Sequence, residues 1–192
     1  MSMTGRTHDL IAFTGLLCVT IVYPPANVTL GTVVAVFIAN QIGGITPDID
    51  NVSAPFWRQL PIGGLIGRVV TRMLGGHRFL THSIIGVFLI GFVAKLFLGF
   101  IHPIMPRIDM NLVWWGFMIG VLSHLIIDTF TKEGVPWLLP IPFKFGIPPF
   151  RSMRLTVGKR LETFGLFPGF VAINIFLIVR YYEVFAGILR RV

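Results

Sequence analysis

Two histidines and an arginine in Gly76-His77-Arg78-Phe79-Leu80-Thr81-His82-Ser83 stand immediately before a long apolar run, where charged and ionisable groups need a reason to be. A second polar cluster, Ser123 to Asp128, closes another apolar run; a third, Pro47-Asp48-Ile49-Asp50, follows a third run, and His8-Asp9 opens the first. His124 and Asp128 are four residues apart, so a helix places them on one face, one turn apart, able to bind one metal ion or two neighbouring ones. His77 and His82 are five apart, which on a continuous helix turns them about 140° away from each other. They fit better as a loop residue and a helix-start residue converging from different directions. Asp48 and Asp50 follow Pro47 in extended chain or a turn, where alternate residues point the same way.

Imidazoles with hard carboxylates suit zinc, with manganese or iron(II) as alternatives, and several carboxylates favour more than one ion. The only cysteine, Cys18, lies inside an apolar run, which excludes a thiolate cluster or a disulfide framework. The expected metal ligands are therefore His8, Asp48, Asp50, His77, His82, His124 and Asp128. Arg78 has the chemistry to clamp a phosphate or carboxylate bidentately, and Asp50 or Glu162 is the carboxylate available as general base.

The elements that position these groups are membrane helices. Of 192 residues, 54% are hydrophobic and 12% charged, with a mean hydropathy of +0.81, far from a soluble domain. No stretch reads as a cleavable leader: only Arg6 precedes the first run, which ends at Pro24-Pro25. The formal charge of +8 comes from basic residues flanking apolar runs. Orientation in a bilayer and contact with anionic lipid explain that placement, and no nucleic-acid contact is expected.

Runs 10–23 and 28–45 are joined by the turn Pro24-Pro25-Ala26-Asn27 and predict a helical hairpin, the first arm short enough to leave room for a partly re-entrant pair. Between residues 51 and 80, Leu65, Ile66, Val69, Val70, Met73 and Leu74 recur at helical spacing opposite Arg68 and Arg72, an interfacial amphipathic helix. Ser83 to Ile101 predicts a full span, stopped by His102-Pro103, and 111–130 another, with Trp114 and Trp115 at its start. Residues 131–163 are proline-rich, basic and too broken to span, with 136–142 along the membrane surface. The last run, 164–189, is interrupted by Arg180-Tyr181-Tyr182-Glu183, whose outer pair is placed to form an ion pair. The expectation is a single all-α domain over 1–192, a polytopic bundle of about five membrane segments with interfacial helices on the cytoplasmic side.

If five segments alternate, Arg6, Arg58, Arg68, Arg72, Arg78 and the six basic residues between Lys132 and Arg160 share one side. The excess of basic residues marks that side as cytoplasmic, with Lys95, Arg107 and Arg190-Arg191 opposite. The same parity carries His8, Asp48, Asp50, His77, His82, His124, Asp128, Glu133 and Glu162 to the cytoplasmic side. Taken singly, each is explained as a helix cap, a dipole partner or an interfacial group, with Thr81 as a cap of the third span. Their joint sidedness is what argues for one site.

At these residues the chain resembles the YdjM-like family of bacterial inner-membrane proteins, which is assigned to metal-dependent hydrolysis and associated in name with LexA regulation. The pattern is Arg6-Thr7-His8, Pro47 to Asp50, His77 to Ser83, Ser123 to Val135, and Gly158 to Glu162 as the Gly-x-x-x-Glu segment. Two positions depart: Asn51 where a histidine is frequent, and Phe79 where glycine is common. The resemblance implies a metal-dependent hydrolase of the inner membrane, similar in its histidine and aspartate usage to zinc-dependent phospholipase C. The expected partners are the bilayer and an amphiphilic or phosphoester substrate. A metal-ion or proton-coupled transporter, or a metal-stabilised scaffold, is the alternative; transport expects ionisable groups near the midplane and a path to both faces.

Overall fold

The structure, a computed structural model, describes residues 5–58, 60–141, 143–156 and 160–191. Pro142 of the expected surface segment, and Gly158 and Lys159 of the expected Gly-x-x-x-Glu segment and basic loop, lie outside the described residues. The described chain is helical, with five segments long and apolar enough to cross a membrane. These are α1 (Gly5–Val22), α2 (Leu30–Ile45, continued by a 3-10 turn over Thr46–Asp50), α5 (Ile84–Ile101), α6 (Met110–Thr129) and α7 (Phe167–Arg180, preceded by a π-turn over Glu162–Leu166). Short helices α3 (Pro55–Arg58) and α4 (Gly63–Met73) lie between α2 and α5, and α8 (Tyr182–Leu189) follows α7.

The first arm of the hairpin starts earlier than its hydropathy suggested. Helix α1 begins at Gly5, with His8 and Asp9 inside its first turns. Eighteen residues rising about 1.5 Å each cover about 27 Å, close to a hydrocarbon core. A re-entrant hairpin is therefore unnecessary. The first turn of α1 is polar, Arg6-Thr7-His8-Asp9, so hydropathy alone does not mark the helix start.

Helix α6 is the centre of the bundle. Val121, His124, Leu125 and Asp128 on it are fully buried, and α2, α1 and α5 pack around it. The tightest crossing is α2 against α6, made possible by glycine. A Cβ on Gly120 would run into the Asn40 carbonyl, and one on Gly43 into the Phe117 carbonyl. With hydrocarbon outside, close backbone approach is a main source of helix association. Asn40 reinforces it by donating Nδ2 to the Gly116 carbonyl at 3.2 Å. The outward faces stay apolar: Phe88, Phe92, Phe97 and Phe100 on α5 are exposed, as a lipid-facing helix requires.

Ser83, and not Thr81, caps α5: its hydroxyl accepts from the Gly86 N–H at 3.0 Å. Asp109 caps α6, accepting from Asn111 and Leu112. Helix α4 leans on Trp57 through Gly63 and Gly67 and leaves Leu65, Ile66, Val69 and Met73 exposed, the expected interfacial helix. Residues 131–141 and 143–156 form an irregular layer held by two isolated bridges, Thr131 with Leu155 and Val135 with Phe145. The chain breaks at Tyr181 as expected, but no ion pair joins Arg180 and Glu183 among the described residues. The Arg180 guanidinium sits over the Tyr181 ring instead, 5.4 Å from its centroid. Arg191 donates to the Ala26 carbonyl in the α1–α2 turn, so the C-terminal arginines lie at the end of the bundle opposite His8.

Candidate metal centre

Four segments deliver ionisable side chains to one end of the bundle. Helix α1 brings His8, the 3-10 turn after α2 brings Asp48 and Asp50, the loop before α5 brings His77, Arg78 and His82, and α6 brings His124 and Asp128. All but Asp48 and His77 are at most 1% exposed. Asp48 is 13% exposed and His77 27%.

Each imidazole is oriented by what it touches. His124 donates Nδ1–H to the Gly44 carbonyl at 2.6 Å, which leaves the Nε2 lone pair facing inward. This bond depends on the glycine crossing of α2 and α6. The His8 ring stacks on His124 with centroids 3.8 Å apart and planes 10° from parallel. His77 Nδ1 lies 2.8 Å from Asp50 Oδ1, and His82 Nδ1 lies 3.2 Å from Asp50 Oδ2 and 2.9 Å from the Thr81 hydroxyl. A carboxylate only accepts, so both rings carry a proton on Nδ1 and turn Nε2 the other way.

Asp50 thus works from behind the cluster. Besides the two imidazoles it accepts from the Arg78 backbone N–H at 3.0 Å and from the Thr81 hydroxyl, in a very short contact. Arg78 is held at φ 57°, a left-handed conformation costing a non-glycine residue about 1–3 kcal/mol. The N–H bond to Asp50 is what that conformation secures. The Arg78 side chain is also enclosed: Nη1 donates to the Thr131 hydroxyl at 2.7 Å, Nη2 lies 2.7 Å from Asp128 Oδ2, and Nε is 3.6 Å from Glu133. The Asp128 contact is close enough for an ion pair but lacks hydrogen-bond alignment. Arg78 holds the Glu133 carboxyl below its ordinary pKa, against burial pulling it up.

The inner atoms form a candidate ligand set. His8 Nε2 is 3.9 Å from Asp128 Oδ1; His82 Nε2 and His124 Nε2 are 3.5 and 3.7 Å from Asp128 Oδ2; His124 Nε2 is 3.8 Å from Asp48 Oδ1. Two ligands about 2.0–2.1 Å from a tetrahedral ion lie about 3.3 Å apart, so these gaps are only slightly wider than a shared ion requires. The triads His8–His124–Asp128, Asp48–His82–His124 and Asp48–Asp50–His77 each bring one potential ligand atom per residue within 4.8 Å of the others. Both ring nitrogens of His8, Nε2 of His77, His82 and His124, Asp48 Oδ1 and both Asp128 oxygens are buried without a hydrogen-bond partner among the described residues. Polar atoms rarely stay so in a folded core. Asp128 meets the Arg78 guanidinium, while Asp48 lies toward His124 and Asp50 toward His77 and His82, so three carboxylates gather at a site able to hold a divalent cation. Burial alone would lower the pKa of His82, but Asp128 and Asp50 overcome it and raise it to about 9. The donor set fits a metal.

The chain matches the YdjM inner membrane protein family model over residues 3–187. The chain belongs to the YdjM inner membrane protein family. It is 28% identical to the uncharacterized protein YvsG of Bacillus subtilis over 146 residues, 76% of this chain and 79% of that protein. It is 31% identical to the inner membrane protein YdjM of Escherichia coli over 122 residues, 62% of this chain and 55% of that protein, so it spans about half of that relative's length. No solved structure matches the chain. Family membership and five candidate spans make this an inner membrane protein with several apolar helices.

Glu162 stands somewhat apart from the ligand atoms. It opens the π-turn before α7, is 2% exposed, and accepts from the Thr7 hydroxyl at 2.9 Å, next to His8. It lines, with His8 and Asp48, a cleft of about 910 Å³. Of the family departures, Asn51 turns its Oδ1 to Ser53, accepting from its N–H and hydroxyl at 3.0 and 2.7 Å. Phe79 packs its ring against Gly75 and is partly exposed. Sequence reasoning missed the outer partners Thr7, Gly44 and Thr131, and it misassigned Thr81. The signal for Thr81 was its position beside His82 and the need of a buried Asp50 for donors.

Proposed function

We propose that this protein is a membrane-embedded, metal-dependent hydrolase whose site faces the cytoplasm and acts on a phosphoester or lipid-like ester. The observation that carries the reading is the set of buried, unpartnered imidazole nitrogens and carboxylate oxygens from four segments, spaced 3.5–3.9 Å apart. The basic loops on the same side of the bundle support the cytoplasmic placement.

His8, His82, His124, Asp128 and Asp48 would hold the ion or ions, with His77 at the more exposed edge. A divalent cation there, zinc before manganese or iron, would lower the pKa of a bound water and polarise the ester. Asp50 sets the tautomer and direction of His77 and His82. Arg78 fixes Asp128 and offsets its charge, engaged by Asp128, Thr131 and Glu133. Glu162 is the carboxylate on the cleft side, available to accept a proton from the attacking water or return one to the leaving group. Transport is the weaker reading, because the cluster gathers at one end of the bundle while at the other end the buried Thr32 hydroxyl is bonded to Thr29 and to the Asp109 N–H.

Elemental mass spectrometry of detergent-purified protein, with folded His82→Ala and Asp128→Ala variants, tests this reading. One or more equivalents of zinc, manganese or iron in the wild type and loss in both variants is the expected result. A protein that stays metal-free after reconstitution with those ions defeats the hydrolase mechanism. Screening phosphoesters and lipids with metal-loaded protein then tests turnover.

A further inference from the structure

The cleft that reaches His8 and Asp48 has walls of two kinds. It lies between the first turns of α1, the last turns of α2 and the π-turn before α7, and at about 910 Å³ it is as large as a small-molecule binding site. His8, Asp48 and Glu162 line it, and so do Ile42, Ile45 and Phe167, which are 51, 39 and 37% exposed. Ile42 and Ile45 belong to the last turns of a membrane-spanning helix, and Phe167 opens α7. The apolar wall therefore lies where a span meets acyl chains, while the polar wall belongs to the ligand cluster. Arg6, on the first turn of α1, adds an exposed cation to the lining beside Asp9, and that turn holds no acid ahead of His8. The positive end of α1 and Arg6 favour an anionic group there against the carboxylates Asp9, Asp48 and Glu162, so a phosphate also needs the ion that His8 and Asp48 would hold.

We infer that this cleft is a lateral portal for a phosphate-bearing membrane lipid. The headgroup reaches the His8, Asp48 and Glu162 wall, and one acyl chain remains between Ile42, Ile45 and Phe167. A soluble phosphoester would gain nothing from apolar walls at that depth, whereas a lipid matches both walls at once. The inference rests on the metal-site reading for what the headgroup meets, but lipid occupancy of the cleft is measurable without turnover.

The test uses the full-length protein, loaded with zinc, in vesicles of phosphatidylethanolamine and phosphatidylglycerol containing phosphatidylglycerol with a photoactivatable acyl chain. Crosslinked peptides and metal content are measured on the same sample. Labelling should concentrate on the last turns of α2 and the start of α7, above the general labelling of α5. Ile42→Trp, and independently Phe167→Trp on the other wall, should lower it roughly tenfold by narrowing the apolar gap between Ile42, Ile45 and Phe167, with metal retained. Phe88→Trp, on the exposed face of α5, should leave it unchanged. Labelling spread evenly over lipid-facing helices and insensitive to both plugs overturns the portal; if metal is present, the metal-site reading survives. Plug-sensitive labelling in a protein without metal supports the portal and counts against the metal site alone.

Discussion

The two ends of the bundle treat their polar groups in opposite ways. At the end holding the α1–α2 turn, the Thr32 and Thr29 hydroxyls meet at 3.0 Å, Thr29 donates onward to the Arg107 carbonyl at 3.2 Å, and Thr32 accepts from the Asp109 N–H at 3.1 Å. Asp109 in turn caps α6. That circuit is closed. At the other end the outer atoms of the cluster are equally well bonded, through Asp50, Thr81, Thr131 and the Gly44 carbonyl, but the inner atoms of His8, His82, His124 and Asp128 are not. An unsatisfied buried polar group costs about 1–3 kcal/mol, so a cluster oriented from outside and open within is built to receive something. Both ends sit on the same helices, which makes the contrast testable.

The largest effect is expected at Asp128. Asp128→Asn takes the charge from a candidate ligand and leaves Arg78 without its closest buried carboxylate; breaking such a pair costs about 3–5 kcal/mol. Thermal unfolding in detergent should show that loss together with loss of metal, and an unchanged stability would remove the ion pair from the argument. Asp50→Asn comes next. It keeps the volume but turns one of the two carboxylate oxygens into an NH2 donor, so His77 and His82 can no longer both be held, and metal affinity should fall about 10–100-fold with little change in helix content. Affinity equal to wild type would mean that Asp50 does not position the histidines. Proton competition is smaller and graded. With its pKa raised to about 9, His82 is protonated at neutral pH and must release a proton to become a ligand. Metal affinity should therefore weaken as pH falls below about 9, by up to about tenfold per unit, and metal uptake should release protons. A flat profile between pH 6 and 9 would exclude His82 from the ligands. The smallest effect belongs to the closed end: Asp109→Ala should cost about 1 kcal/mol as a lost cap and leave metal content untouched. Metal loss in that variant would erase the difference between the ends.

Much of this arrangement is legible without coordinates. Apolar runs marked the spans, and Pro24-Pro25 and His102-Pro103 marked where they stop, because a helix in lipid must satisfy its backbone within itself. Parity then brought His8, Asp48, His82, His124 and Asp128 to one end, where the structure brings them together. Partition between inner and outer roles was not legible. Asp48 and Asp50 are two residues apart and chemically identical, yet Asp48 turns one oxygen toward His124 while Asp50 gathers the loop from Gly76 to His82. Nothing in their spacing distinguishes them, since the difference comes from a 3-10 turn and from which donors approach it. Likewise Arg78 read as a free clamp, and its engagement by Asp128, Thr131 and Glu133 emerges from a segment 50 or more residues away. Arg180 and Glu183 had suitable spacing for a pair, but the helix breaks at Tyr181 and removes the shared face that such a pair needs.

Residue order settled the membrane class, the five candidate spans and the gathering of the ionisable groups at one end of the bundle, because those follow from hydropathy, length and alternation along one chain. The direction of each ligand and the shape of the cleft depend on contacts between distant segments. Gly43 and Gly120 let α2 and α6 approach until the Gly44 carbonyl reaches His124. Asp50 turns two imidazoles, and the gap beside α1 joins an apolar wall to a polar one. Such features arise from packing in three dimensions, where small residues, buried charges and helix ends must be satisfied together.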